Sequence, residues 1–157
     1  MLLALPEHLW RDMLDAFAQQ DPGLERVAFI DGYRVAEVAV ATTVTMPNAV
    51  CHPDRYLVDV DAMQAAGAHF RTFGMVRLAQ VHTHGDNDLR HSRWDDALAY
   101  SQQDGAVSIV LPEHARTRPR PTDGAVHLRV PAGWQRLTPQ EASAQVRLVP
   151  SMLDFRR

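Results

Sequence analysis

The stretch His82-Thr83-His84-Gly85-Asp86-Asn87-Asp88-Leu89-Arg90-His91-Ser92-Arg93-Trp94-Asp95 gathers two imidazoles, a hydroxyl and a carboxylate at a spacing that suits one metal ion. The apolar run Met75-Val76-Arg77-Leu78-Ala79-Gln80-Val81 leads into it and reads as a buried strand. Side chains alternate along a strand, so His82 and His84 share one face and Thr83 takes the other. After a polar loop, Ser92 opens a helical pattern through Ala97, Leu98 and Tyr100. Ser92 and Asp95, three residues apart, then fall on one helical face, which can look back at the histidines.

Two neutral imidazoles and a carboxylate suit zinc, a borderline cation that takes nitrogen and oxygen ligands. Three protein ligands leave a fourth position open, as in catalytic rather than structural sites. A plainer reading stands beside this one. Ser92-Arg93-Trp94-Asp95 also fits the [ST]-x-x-[DE] capping box that starts many helices, and the histidines could be ordinary strand-end residues. The readings are compatible, although a carboxylate engaged by backbone N–H groups is a poorer ligand.

The 157 residues fit one domain, taken as 1–157, with enough chain to bury a substantial core. Hydrophobic residues make up 46% and charged residues 22%, and the net charge of −3 gives no electrostatic reason to expect a nucleic-acid partner. Cys51 is the single cysteine, which excludes an intrachain disulfide and a cysteine zinc knuckle and points to a reducing, cytoplasmic setting. The apolar Met1 to Leu5 run is shorter than a secretory core, and the absence of an 18-residue apolar stretch argues against a membrane partner.

Outward from the motif, Leu9, Trp10, Met13, Leu14 and Phe17 recur at helical spacing between Pro6 and about Gln20. Glu25 to Ile30 reads as a strand, Asp31-Gly32 as a hairpin turn, and Tyr33 to about Thr45 as its β-rich partner. Met46 to Arg55 reads as irregular, Tyr56 to Val60 as a short strand, and Asp61 to Thr72 as a helix. Beyond a helix from Ser92 to about Gln103 come a buried strand (Ala106 to Leu111), an exposed proline-rich loop (Pro112 to Gly124) and a hairpin (Val126 to Val130, Trp134 to Leu137). Thr138-Pro139-Gln140-Glu141 starts a helix, and the chain ends in Arg156-Arg157. Arg116, Arg118 and Arg120, diluted with proline, read as a solvated loop rather than a recognition patch.

These residues resemble the JAMM metalloproteases, the JAB1/MPN+ family, whose pattern is an upstream glutamate followed by His-x-His, seven residues and Ser-x-x-Asp. The interval Gly85 to His91 fits that spacing without adjustment. The resemblance implies an α/β architecture of the MPN/JAB, cytidine deaminase-like type, with a central mixed β-sheet flanked by helices. It places His82, His84 and Asp95 on the zinc ligands and Ser92 on the family's serine. The residues alone leave Glu25 and Glu37 open for the glutamate. The resemblance selects Glu25, because the family's acid stands at the start of a hydrophobic strand ending in a glycine turn. His91 is a competing imidazole, but it precedes the helix that carries Asp95. Gly85 stands where family members commonly carry proline, which loosens the loop without removing a ligand.

The resemblance further implies one zinc ion per chain, with Glu25 as general base and Ser92 as oxyanion contact rather than nucleophile. The implied reaction is hydrolysis of a peptide or isopeptide bond after the C-terminal tail of a ubiquitin-like protein. E1-like and E2-like enzymes of the same pathway are the implied partners, by similarity to compact bacterial JAB proteins. Two other readings are a JAB peptidase acting on a sulfur-carrier precursor or small peptide, and a non-catalytic MPN-like scaffold.

Overall fold

The computed structural model describes residues 1–153, so the Arg156-Arg157 end of the 1–157 span lies outside the described residues. In chain order the elements are β1 (Leu2–Pro6), α1 (Glu7–Ala18), β2 (Val27–Val35), β3 (Val38–Thr45), β4 (Ala49–His52), β5 (Arg55–Val58), α2 (Val60–Phe73) and β6 (Val76–Thr83). They continue with α3 (Arg93–Leu98), β7 (Val107–Leu111), β8 (Ala125–Val130), β9 (Gly133–Arg136), α4 (Pro139–Gln145) and β10 (Val146–Val149). Eight strands form one mixed sheet in the order β10-β1-β3-β2-β6-β7-β8-β9, and β4 and β5 form a separate hairpin. No helix among the described residues is long and apolar enough to cross a membrane.

The two central strands carry the site. β2 pairs antiparallel with β6, placing Val27 opposite His82, and β6 pairs parallel with β7, placing His82 beside Val110. One face of the sheet buries Leu5, Ala28, Ile30 and Val81 against Trp10, Met13, Leu14 and Phe17 of α1. Those four α1 residues recur at 3.6-residue spacing, which is why that segment is a helix with one buried stripe. On the other face, Val27 and Phe29 pack with Tyr56 from β5, so β2 is covered on both sides.

Several local expectations give way to tertiary pairing. Asp31-Gly32 is not a turn. β2 runs on through a bulge there, and the reversal comes at Ala36-Glu37, with Ala36 at φ 51°. Gly32 is required by close approach, since a Cβ there would lie 2.1 Å from the Val40 carbonyl oxygen. The Met1 to Leu5 run becomes β1, which takes β10 on one side and β3 on the other, both parallel. Much of the segment read as irregular forms β4, whose register with β5 pairs Cys51 with Tyr56. The helix at Ser92 stops at Leu98, because Tyr100 turns inward. Its N–H donates to Gln80 Oε1 (3.0 Å) and its hydroxyl donates to the Leu78 carbonyl oxygen (3.1 Å).

The bulge holds a buried ion pair. Arg77 Nε donates to Asp31 Oδ1 at 3.0 Å, Thr45 Oγ1 donates to Asp31 Oδ2 at 2.6 Å, and the guanidinium lies 3.7 Å above the Phe29 ring. Removing one partner strands a charge in a dry environment, whereas replacing both with apolar groups does not. Arg77→Met should therefore lower stability by about 3 kcal/mol, and Asp31→Leu/Arg77→Met should recover most of that loss, as read by urea denaturation. Equal destabilisation of the single and double variants would contradict this role for the pair.

Candidate metal centre

His82 and His84 reach the site because β6 is held on both sides up to its last residue. Beyond the strand, the His84 N–H donates to the Leu111 carbonyl oxygen (2.9 Å), continuing the pairing with β7. Thr83 faces the other way, where its Oγ1 accepts the Arg26 N–H at 3.0 Å. The His82 ring is fully buried, 5.4 Å from Tyr56 and 5.1 Å from His84 between centroids. Both His82 ring nitrogens lack a hydrogen-bond partner. Burial pushes this imidazole below its usual range, so it is neutral with a free lone pair.

His84 is oriented from outside the centre. Its Nδ1 lies 2.6 Å from the Asp88 carbonyl oxygen. A carbonyl only accepts, so Nδ1 carries a hydrogen in either protonation state and Nε2 is the nitrogen that faces Asp95, the orientation that metal-bound histidines adopt once Nε2 is deprotonated. Asp86 and Asp88 shape the loop that supplies this carbonyl. Asp86 Oδ1 accepts the Asp88 N–H at 2.9 Å, and the Asp88 carboxylate takes Arg90 Nε and Nη2 at 2.9 and 2.6 Å.

Asp95 resolves the two readings of the Ser-x-x-Asp motif by fulfilling both. It is the third residue of α3. Ser92 Oγ accepts the Asp95 N–H (3.1 Å), and the Ser92 N–H donates to Asp95 Oδ2 (2.6 Å), forming a complete capping box. The same carboxylate presents Oδ1 3.2 Å from His82 Nε2 and Oδ2 3.4 Å from His84 Nε2. In a tetrahedral zinc site with bonds of about 2.0 to 2.1 Å, neighbouring ligand atoms stand about 3.3 Å apart. One donor atom from each of the three residues lies within 4.8 Å of the others, and this His-His-Asp group is arranged to hold a metal ion.

The electrostatics without metal have the same origin. Burial opposes the charge on Asp95, yet the two imidazoles and the Ser92 N–H outweigh it and hold the carboxyl well below the usual carboxylate range. Burial likewise opposes charge on His84, but Asp95 and the Asp88 carbonyl raise its imidazole to about 9. A proton thus occupies the ground a cation would take, and a bound metal would displace it.

Glu25 lies two residues before β2, anchored by its N–H to the His52 carbonyl oxygen (2.8 Å) at the end of β4. It is 4% exposed, and its Oε2 has no hydrogen-bond partner. Burial pushes its carboxyl up to about 8, against the opposing charge of His84 and with help from Asp95, Asp54 and Asp86. Glu25, Pro53, His84 and Ser92 line one cleft of about 470 Å³. Glu37 is exposed at the far end of β2, about 25 Å of strand from this cleft at 3.3 Å per residue.

His91 lies 5.8 Å from His82 between ring centroids, but its nitrogens are engaged elsewhere. Its Nδ1 lies 3.0 Å from Asp96 Oδ1, its Nε2 lies 3.0 Å from Ser108 Oγ, and its ring stacks on His127 at 4.1 Å. It braces the start of α3 against β7 and β8.

The segment Pro112 to Gly124 differs most from its expected solvated form. His114 and Ala115 are buried, and Glu113, His114 and Ala115 take φ of 50°, 52° and 58°. Left-handed backbone costs L-residues roughly 1 to 2 kcal/mol each, so surrounding contacts must hold it. The His114 N–H donates to the His84 carbonyl oxygen (2.8 Å), and the His114 carbonyl oxygen accepts Arg26 Nη1 (3.0 Å). Nothing in the local sequence announces this turn. The one hint is Gly85 in place of the proline common in the JAMM pattern.

Comparison with known proteins bears on the fold. No protein-family model and no curated protein matches the sequence. Among solved structures, AF2198, a JAB1/MPN domain protein from Archaeoglobus fulgidus, matches with a TM-score of 0.50 at 15% identity, over 94% of this chain and 97% of that one. This chain has the JAB1/MPN fold. The solution structure of protein DSY2949 from Desulfitobacterium hafniense matches with a TM-score of 0.72 at 18% identity, over 96% and 95% of the two chains. At these identities the likeness concerns the fold alone. Within that JAB1/MPN fold, the His82, His84 and Asp95 group is a feature of this chain's own residues.

The register of α3 can be checked directly. In calorimetric titration with zinc, Asp95→Ala should abolish stoichiometric binding. Asp96→Ala, which loses only the contact to His91, should retain it within about tenfold, the lower range for an outer-shell change. Loss of binding in Asp96→Ala with retention in Asp95→Ala would place the ligand on the other carboxylate.

Proposed function

We propose that this protein is a zinc-dependent peptidase or isopeptidase that hydrolyses the bond after the C-terminal tail of a ubiquitin-like protein. The observation carrying this reading is Glu25, a buried carboxylate with an unpartnered oxygen, opening on the same cleft as His84 and Ser92. An MPN-like scaffold has no need of a desolvated acid beside an incomplete ligand set.

His82, His84 and Asp95 would hold the zinc ion. Bound there, zinc would supply Lewis acidity, which lowers the pKa of a coordinated water toward roughly 7. Glu25 would accept the proton of the attacking water as a carboxylate, with the charge of a bound cation opposing the upward shift that burial and Asp95 give it, and would later deliver that proton to the departing amine. Ser92 Oγ accepts the Asp95 N–H, so its own hydrogen remains free to donate to the developing oxyanion. With one lone pair engaged by the cap and no base within its hydrogen bonds to take its proton, Ser92 serves as a donor rather than a nucleophile.

Ubiquitin-like tails are the substrate class because an extended tail of small residues can lie along a cleft beside strands. Maturation of precursors and removal of the modifier from targets use the same bond chemistry, and E1-like and E2-like enzymes would be the pathway partners. The choice of a ubiquitin-like tail over a sulfur-carrier precursor rests on the resemblance of the His-x-His, Ser-x-x-Asp motif.

A fusion of a ubiquitin-like domain to a reporter should be cleaved at the domain's C-terminus in a chelator-sensitive way. Glu25→Gln should keep its zinc and lose about 10²- to 10⁴-fold in rate, the range for removal of a general base. Ser92→Ala should lose about 10²-fold. Uncleaved fusions across a panel of such domains, or full activity in Glu25→Gln, would overturn the reading.

A further inference from the structure

We infer that His114 is a positioning residue that sets the geometry of the metal centre, through a ring seated on Gly85 and a backbone stitched to both sides of the cleft. The inference rests on the metal-binding reading of His82, His84 and Asp95.

The seat is specific to glycine for a reason other than backbone freedom. Gly85 does not adopt a left-handed φ, so alanine would be acceptable to the backbone. A Cβ there would nonetheless stand 2.9 Å from His114 Nε2 and 3.3 Å from His114 Cε1, inside the distance that ordinary packing allows. The space beside the second histidine ligand is therefore filled from across the loop by an imidazole. A proline at 85 would put its own ring into that space.

The backbone of His114 completes the link. Its N–H donates to the carbonyl oxygen of His84, the residue before Gly85. Its carbonyl oxygen accepts from Arg26, the residue after Glu25, and the other arm of that guanidinium is fixed by the Gln20 and Asp21 carbonyl oxygens (3.2 and 2.5 Å). One residue thus touches the neighbours of both the second ligand and the buried acid. Its left-handed φ of 52° is the conformation in which a single residue bridges these two segments. Histidine and asparagine tolerate this conformation better than most residues, so His114→Asn removes the ring while keeping the turn.

The experiment uses cobalt(II) as the probe, reading its d–d absorption and its dissociation constant in the full chain; no substrate is needed. Gly85→Ala, by pushing the ring away, and His114→Asn, by removing it, should each weaken cobalt binding about tenfold and shift the absorption envelope. The variant Gly85→Ala/His114→Asn should be no weaker than the weaker single change, because the added methyl then occupies the vacated space. A double variant about 100-fold weaker, the product of two independent losses, overturns the interlock. Wild-type spectrum and affinity in His114→Asn, whatever its melting temperature, overturn it as well. If Gly85→Ala does not fold, the His114→Asn spectrum decides alone. A wild-type chain that binds no cobalt removes the metal centre itself, whereas cobalt binding without fusion cleavage removes only the peptidase reading.

Discussion

The structure turns on one carboxylate with two obligations. Asp95 closes the capping box of α3 and lies against both His82 and His84. Either obligation alone leaves a fault. A cap without the histidines buries a negative charge with little compensation, and a histidine pair without the aspartate leaves two imidazoles facing each other. The cap fixes the direction of the side chain, because the Ser92 N–H holds Oδ2 at 2.6 Å and leaves Oδ1 to face His82. In this way a local rule of helix initiation places a carboxylate beside the two histidines, which strand pairing alone could not do.

Around that carboxylate the fold commits buried polar groups that an apolar core would not tolerate. His82 sits at full burial with neither ring nitrogen bonded, and Glu25 carries an orphaned oxygen. Buried polar atoms without partners are uncommon and costly, and among the described residues Arg77 Nη2, His127 Nδ1 and Trp134 Nε1 are also unpartnered, so Glu25 and His82 are informative through the His84 and Asp95 groups beside them. On the same face of β6, the buried amide of Gln80 is engaged at both ends. Gln80, one alternation before His82, uses its Nε2 for the Tyr56 hydroxyl (2.5 Å) and its Oε1 for the Tyr100 N–H (3.0 Å). Gln80 and His82, two residues apart on one strand face, thus differ in whether their polar atoms are bonded.

What the sequence revealed followed from how local each signal was. The β6 run, its alternation into His82 and His84, and the Ser92 cap are all written within short windows, and the structure shows them in those places. The choice between Glu25 and Glu37 was not local, since either reads as a strand acid. Only the antiparallel pairing of Val27 with His82 brings one end of β2 to the site and sends Glu37 to the other. Asp31-Gly32 misled because an Asp-Gly pair at a bulge has the composition of a turn. The Glu113 to Ala115 turn was hidden for the opposite reason: non-glycine residues carry a left-handed path that tertiary contacts alone enforce.

Anomalous diffraction at the zinc edge, on crystals of the zinc-loaded chain, tests the central claim most directly. One ion should appear, with His82 Nε2, His84 Nε2 and an Asp95 oxygen at about 2.0 to 2.2 Å and its remaining position facing Glu25. An ion bound through His91 or His114 instead, or one closed by four protein ligands with no position open toward Glu25, would contradict the account.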